Sequence, residues 1–460
     1  MTRVFSVLLA AVLVTAGCSM ADPDEGVKGK RGTGVVDPAV VAAPPPRPAL
    51  PPPPPPPLGG FTTQTRLGYT VGDQWEPAIA ADRFGHVYAL APQYQGVPGC
   101  PTCPSPTMIL QVSADGGQTW SAPRQIAPPG TGQWDAQVVV DPVDGQTVYA
   151  SWLQNGKSDT VVARSTDYGQ TWSVVVADST NAGTDKPILA VRGNDVYVVF
   201  NHAQKIWAAV SHDGGLTFTQ SQINKNGNLG WALAAGGVVT PNGSVHFGWA
   251  GYTRNGGATG DVNLFVSSSF DGGATWTNRV LDVSGAPPDC AASLCGWAYL
   301  GAQLLVTADD GGTLYALWNS SPAGSGGAAN RVYFASSAND GATWTPRTEV
   351  STAPAGSAHA FPALVAGAAG DVRIGWMDAR AGTRWNTYYR SSTNGGTTWS
   401  AEVDLSGFVP GYGYIQANGF DYPYGDYWEM TIDGNGATHA IWGEGLNYDS
   451  PGSIWYVKGQ

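Results

Sequence analysis

Nine residues, SADGGQTWS from Ser113 to Ser121, return five more times along the chain. The further copies are STDYGQTWS at Ser165, SHDGGLTFT at Ser211, SFDGGATWT at Ser269, SANDGATWT at Ser337 and STNGGTTWS at Ser392. A unit that recurs at intervals of 46 to 68 residues buries its apolar face only by stacking on its neighbours, which restricts the chain to a repeat architecture. Six copies spread around such an array cannot meet in one pocket. Two of them, moreover, carry Asn339 and Asn394 where the others carry Asp, an exchange that a turn tolerates and a proton-transfer group does not. The repeated acid is therefore read as scaffold. It is a short side chain that bonds nearby backbone N–H groups, followed by glycines free to take positive φ and an aromatic ring to bury between strands.

A second motif precedes each box, a glycine-rich turn running into a strand that ends in an aromatic in all copies but the first. It reads HVYALA at His86, TVYASW at Thr147, DVYVVF at Asp195, SVHFGW at Ser244, TLYALW at Thr313, DVRIGW at Asp371 and ATHAIW at Ala437. With 62 glycines, only 13% charged residues and no long helical pattern, the units read as short antiparallel strands. Four strands per unit and seven units describe an all-β fold, a seven-bladed β-propeller. The seventh unit stops after its third strand, SIWYVKGQ, which would leave an unpaired edge. The segment TTQTRLGYTV, Thr62–Val71, precedes the first unit and is expected to supply the missing outer strand, so that one domain spans residues 61–460.

The pattern S-x-D-x-G-x-T-W is identified as the Asp-box, or bacterial neuraminidase repeat, and the whole of 61–460 resembles the sialidase-like propeller superfamily. The resemblance implies the fold; its members include sialidases, other glycosidases, polysaccharide lyases and proteins without catalysis, so it leaves activity open. It also implies that a ligand is sought on the face opposite the Asp-boxes, around the central channel. Sialidases carry an F/Y-R-I-P motif early in the propeller, and this chain has WEPAIAAD there, with Glu76 where the arginine would stand.

Counted back from the valine of the second motif, one position near the start of each inner strand reads Glu76, Asp135, Asp185, Ala234, Gln303, Phe361 and Tyr427. Three neighbouring carboxylates would raise one another's pKa and leave one protonated as a general acid. Tyr427, with Glu76 or Glu429 as its activating carboxylate, is the candidate for a tyrosine nucleophile of the kind sialidases use. Arg254, Arg331, Arg380 and Arg384 lie in loops after second strands and would grip a substrate carboxylate, with Asp378 beside them as a further substrate-binding candidate. Trp75 and Trp134, like Trp231 and Trp297, suit stacking on sugar rings. The stretch FDYPYGDYWEM, with Tyr422, Tyr424, Asp426 and Glu429, would either stack on sugars or plug the channel. No metal or cofactor motif and no serine–histidine constellation is legible. The expected function is a glycan-binding or glycan-acting propeller, as a glycoside hydrolase or lyase; the alternative is a non-catalytic lectin-like or assembly module.

The amino end, MTRVFSVLLAAVLVTAGC, pairs Arg3 with an apolar run too short to span a bilayer and resembles a lipoprotein signal, residues 1–18, with Cys18 as the lipidated residue. Residues 19–60 form a proline-rich tether of extended chain. Export and lipid anchoring to a bacterial membrane follow as expectations. Cys100 with Cys103, and Cys290 with Cys295, are then read as two local disulfides of an oxidising exterior, although the first pair could also be half of a zinc site. The net charge of −12 argues against nucleic acid as a partner, and a monomer is expected.

Overall fold

The computed structural model describes residues 59–127, 131–179, 183–202, 204–224, 229–254, 259–286, 300–447 and 451–459. The signal segment, nearly all of the tether, Cys18, Cys290, Cys295 and Trp297 lie outside the described residues. Among the described residues seven antiparallel blade sheets follow one another along the chain, with a two-stranded ribbon, Ile415–Gln416 and Gly419–Phe420, before blade seven. Blade two is representative: Trp134–Val140 is innermost, then Val148–Gln154, Asp159–Ser165 and Ser173–Asp178. In blade one the inner strand is broken into Asp73–Gln74 and Ala78–Ala81, both paired with Val87–Tyr94. Neighbouring inner strands abut in order, and Glu429–Ile432 of blade seven returns to Ala78–Ala81 of blade one.

The ring closes through the predicted segment. Thr65–Leu67 pairs antiparallel with Gly452–Gly459, Arg66 opposite Trp455, while Thr62 N donates to Lys458 O at 2.7 Å. Closure removes the open edge that blade seven would otherwise present. Large rings at the ends of the second strands fill the spaces between blades: Trp152, Trp249, Trp318, Trp376 and Trp442 are each at most 1% exposed.

Each Asp-box is a turn held by its own side chains. Asp115 Oδ1 accepts from Thr119 N at 2.8 Å, Asp115 Oδ2 from Thr119 Oγ1 at 2.6 Å, and Ser113 Oγ from Gly117 N at 2.8 Å. These bonds, led by that of the Thr119 hydroxyl, hold the Asp115 carboxyl down at about 2. In the amide copies Asn339 Oδ1 still accepts from Thr343 N at 2.9 Å, and Asn339 Nδ2 donates to Thr343 Oγ1 at 2.9 Å. The threonine hydroxyl simply changes from donor to acceptor, which is why Asp and Asn interchange. The Cys100–Cys103 disulfide is formed.

Candidate functional site

The strand register shows where the channel mouth is built. Ala81, Val140, Val191, Val239, Ala308, Ala366 and Ile432 each face the second residue of the second-strand motif. Five residues before them stand Glu76, Asp135, Lys186, Ala234, Gln303, Phe361 and Tyr427. The expected Asp185 is thus one residue out of level. Blade three joins its strands by Gly193 and Asn194 alone, with Arg192 paired to Asp195, so its turn is shorter and the count from the valine slips.

The same level is marked by the backbone. Glu76, Asp135, Lys186 and Phe361 take φ of 46°, 57°, 52° and 52°, and the pairing shifts between Trp134 and Gln137, Asp185 and Ile188, Ala234 and Gly236, and Ala360 and Ala363. A bulge of this kind re-aims a side chain at the cost of a left-handed residue, about 1–3 kcal/mol each. The scaffold provides the bulge whatever the side chain; residue identity then sets the chemistry. Blades one to three supply charge at this level, blade seven a phenol, and blades four to six Ala234, Gln303 and Phe361.

Two lysines that the sequence reading passed over organise the acids. Lys157, itself at φ 61°, follows the second strand of blade two, and its Nζ lies 3.1 Å from Asp185 Oδ1 and 4.0 Å from Asp135 Oδ2. Lys186 Nζ pairs with Asp426 and stands 4.4 Å from the centre of the Tyr427 ring. Burial alone would lower the Lys186 pKa; the carboxylates of Asp426, Glu76, Asp135 and Asp185 more than offset this and hold it above its ordinary value. Asp135 and Asp185 therefore share the Lys157 cation rather than form a bare acid cluster.

The stretch from Asp421 to Glu429 is a plug that ties blade seven across the mouth. Asp426 O accepts from Gln303 of blade five at 2.8 Å, Tyr427 Oη donates to Ala136 O of blade two at 3.2 Å, and Trp428 Nε1 donates to Phe361 O of blade six at 2.6 Å. Gly425 lies against Glu76 so closely that an added Cβ would stand 2.8 Å from Glu76 Cγ. Burial and the carboxylates of Glu76, Asp135, Glu429 and Asp426 push the Tyr427 phenol well above 10, the opposite of what a nucleophilic phenolate requires. Below the plug a cavity of ≈ 640 Å³ continues between the inner strands to the turns of the Asp-box face, Pro142, Pro241 and Asp310 among its lining. Glu429 faces it, accepting from Ile79 N at 3.0 Å and from Gln137 Nε2, and burial raises its carboxyl to about 8.

The arginines are engaged elsewhere. Arg331 bonds Glu349 and the carbonyls of Ala353 and Pro354. Arg380 grips Asp378 and Glu402 over the Tyr388 ring, and Arg384 pairs with Asp421 at 2.7 Å. Arg254 is exposed at the end of its strand. Asp378 also accepts from Trp376 Nε1. Loop arginines find the nearest acid or carbonyl, and the shared anion grip expected of them is not assembled. The stacking surface is likewise reduced: Trp75 and Trp231 are 2% and 4% exposed, and Trp75 packs with Tyr94, Tyr422 and Tyr424. Only Trp134 keeps partial exposure among these three.

Residues 72–285 match the family model of the BNR repeat-like domain, and no curated protein matches the sequence. Among solved structures, an ulvan lyase of a polysaccharide lyase family is 11% identical with a TM-score of 0.50, over 86% of this chain and 95% of that one. A protein of unknown function from Dyadobacter fermentans is 14% identical with a TM-score of 0.49, over 87% and 98%. A Hadza microbial sialidase is 15% identical with a TM-score of 0.45, over 84% and 66%. At these identities the likeness is one of fold.

Proposed function

We propose that this chain, a seven-bladed sialidase-like β-propeller carrying a BNR repeat-like domain, binds a glycan at the channel mouth between the plug and the Lys157–Asp185 pair. One observation carries the reading: charged side chains of blades two, three and seven, Asp135, Asp185, Lys157, Lys186 and Asp426, are gathered in a largely buried array. Buried charges cost stability unless well paired, and a ring of blades does not need them to close. Carboxylates accept from sugar hydroxyls and ammonium groups donate to them, while Trp134 and the apolar half of the mouth suit the C–H face of a sugar. Among the described residues the carboxylates at this mouth outnumber the cations, which favours neutral or amine-bearing sugars over sialic acids and uronates. Glycan-acting neighbours such as the ulvan lyase share the propeller and fit a glycan ligand of some kind.

Hydrolysis is the second reading, favoured by Glu429. A carboxyl raised to about 8 keeps its proton at neutral pH, as a general acid must. Titration calorimetry of residues 59–460 against neutral, amino and uronate oligosaccharides tests binding. Saturable heat with neutral or amino glycans, reduced at least tenfold by Asp135→Asn, supports the mouth, and no heat with any glycan removes it. Release of product from fluorogenic glycosides, abolished by Glu429→Gln, would select the hydrolase. We further propose export and lipid attachment at Cys18. Metabolic labelling with a radioactive fatty acid should mark the full chain and not Cys18→Ala.

A further inference from the structure

A second constellation stands on the same face, in the loop that joins blade five to the inner strand of blade six. His359, 1% exposed, opens the inner strand His359–Ala366. Its Nδ1 lies 3.0 Å from Asn330 O and 2.9 Å from Ser357 O. Two acceptors on one ring nitrogen place the proton there and leave Nε2 with its lone pair. Ser351 Oγ, at 2.7 Å from Nε2, therefore donates its hydroxyl proton to the imidazole. Ser351 is half-buried, not enclosed, and its oxygen is steered by Ala353 N at 3.1 Å. Asp378 Oδ2 lies 3.6 Å from the same Nε2, placed to stabilise the imidazolium that forms once the proton has moved. Burial lowers the imidazole's pKa against the opposing pull of Asp378, which keeps it a neutral base.

Another serine–histidine contact shows what this arrangement adds. His246 Nδ1 lies 2.8 Å from Ser268 Oγ, but Ser268 is 8% exposed and the far nitrogen, His246 Nε2, has no hydrogen-bond partner among the described residues. Nothing there fixes the tautomer, and no reagent reaches the hydroxyl. At Ser351 a nucleophile, a base and a group that orients the base are all present, with the nucleophile on the accessible side.

We propose that Ser351 is a nucleophilic serine, activated by His359, that takes the acyl group of a small carboxylic ester. Ser351 Oγ attacks the ester carbonyl carbon as its proton passes to His359 Nε2. The Oγ–acyl bond forms, the bond from the acyl carbon to the alkoxy oxygen breaks, and that oxygen leaves as the alcohol with the proton from Nε2. Water, deprotonated by the same imidazole, returns the serine and releases the acid. O-acyl groups on a glycan held at the neighbouring mouth are the esters best placed to meet it.

Residues 59–460 treated with a fluorophosphonate, which forms an Oγ–P bond as fluoride leaves, should give one adduct. Peptide mass spectrometry should place it on Ser351, formed about 10²-fold faster than on other loop serines. Ser351→Ala should remove the adduct without changing the melting temperature, and urea-unfolded protein should lose the selectivity. p-Nitrophenyl acetate should give a burst of p-nitrophenolate that the variant lacks. Absence of an adduct on the folded wild-type protein, or one spread equally over Ser121, Ser357 and Ser400, would overturn the proposal. Neither result bears on glycan binding at the mouth.

Discussion

Lys186 occupies the level at which blades one and two present Glu76 and Asp135, and its ammonium is tied to Asp426 of the segment that crosses the mouth. A cation in the third blade thus locks a carboxylate of the seventh, and the neighbouring Lys157 locks Asp185. The mouth is an ion-paired lattice whose members depend on one another.

Removing one partner from such a lattice leaves an uncompensated buried charge. Lys157→Met is expected to destabilise the propeller by about 3–5 kcal/mol, and Lys157→Met with Asp185→Leu to recover part of that loss, Asp135 still lacking the shared cation. Chemical denaturation of the single and double variants measures both. Equal stability of wild type and Lys157→Met would show the pair to be inconsequential.

The Asp-box bonds predict an asymmetry between two substitutions at one position. Asp115→Asn keeps an acceptor for Thr119 N and lets the hydroxyl reverse, as Asn339 does, whereas Asp115→Ala removes both bonds. The melting temperature should fall clearly for alanine and little for asparagine. Comparable losses would contradict the scaffold reading.

Ring closure carries a pH dependence. Glu444, 0% exposed, accepts from Trp442 Nε1 at 2.7 Å and from Gln64 Nε2 of the closing segment. Burial, with the nearby Asp404 carboxylate adding to it, raises Glu444 from 4.5 to about 8. The folded value lies above the unfolded one, so the fold holds a proton that the unfolded chain releases. The stabilisation is full below about pH 4.5 and lost as pH rises through about 8. Glu444→Gln keeps both acceptor bonds and should flatten that decline, as read from melting temperatures between pH 5 and 9. An unchanged slope would rule out Glu444 as its source.

The closing strand is short, yet Leu67 is 3% exposed and packs with Ile441, Ile454 and Tyr456. Leu67→Ala should cost about 2–5 kcal/mol, and a chain starting at Gly72 should associate through the bared edge of Gly452–Gly459. Light scattering distinguishes a monomeric truncation, which would refute the closure, from the expected oligomer.

What the residues announced in advance was everything that recurs. The Asp-boxes, the second-strand aromatics and the odd segment Thr62–Val71 all follow from local chemistry repeated at a period, so seven blades and their closure could be counted without coordinates. The Cys100–Cys103 bond was legible for the same reason, its partners being three residues apart. The mouth was only half legible. Asp135 does stand at the level, though a turn two residues longer puts it thirteen residues before its valine instead of eleven. A turn one residue shorter hid Lys186 behind Asp185, because register is set by hairpin pairing and not by counting along the chain.

The remaining decisions belong to tertiary structure, since they turn on residues distant in sequence meeting across the ring. Arg331, Arg380 and Arg384 were drawn to Glu349, Glu402 and Asp421, 18, 22 and 37 residues away, which no spacing rule connects to them. Tyr427 was turned onto a carbonyl of blade two, Lys186 onto a carboxylate 240 residues away, and Ser351 onto the imidazole at the head of the next blade. Sequence by itself determined the blade, because a blade is made of neighbours. Only the closed ring decided which charges share a dielectric and which side chains can exchange a proton, because both depend on separation in space.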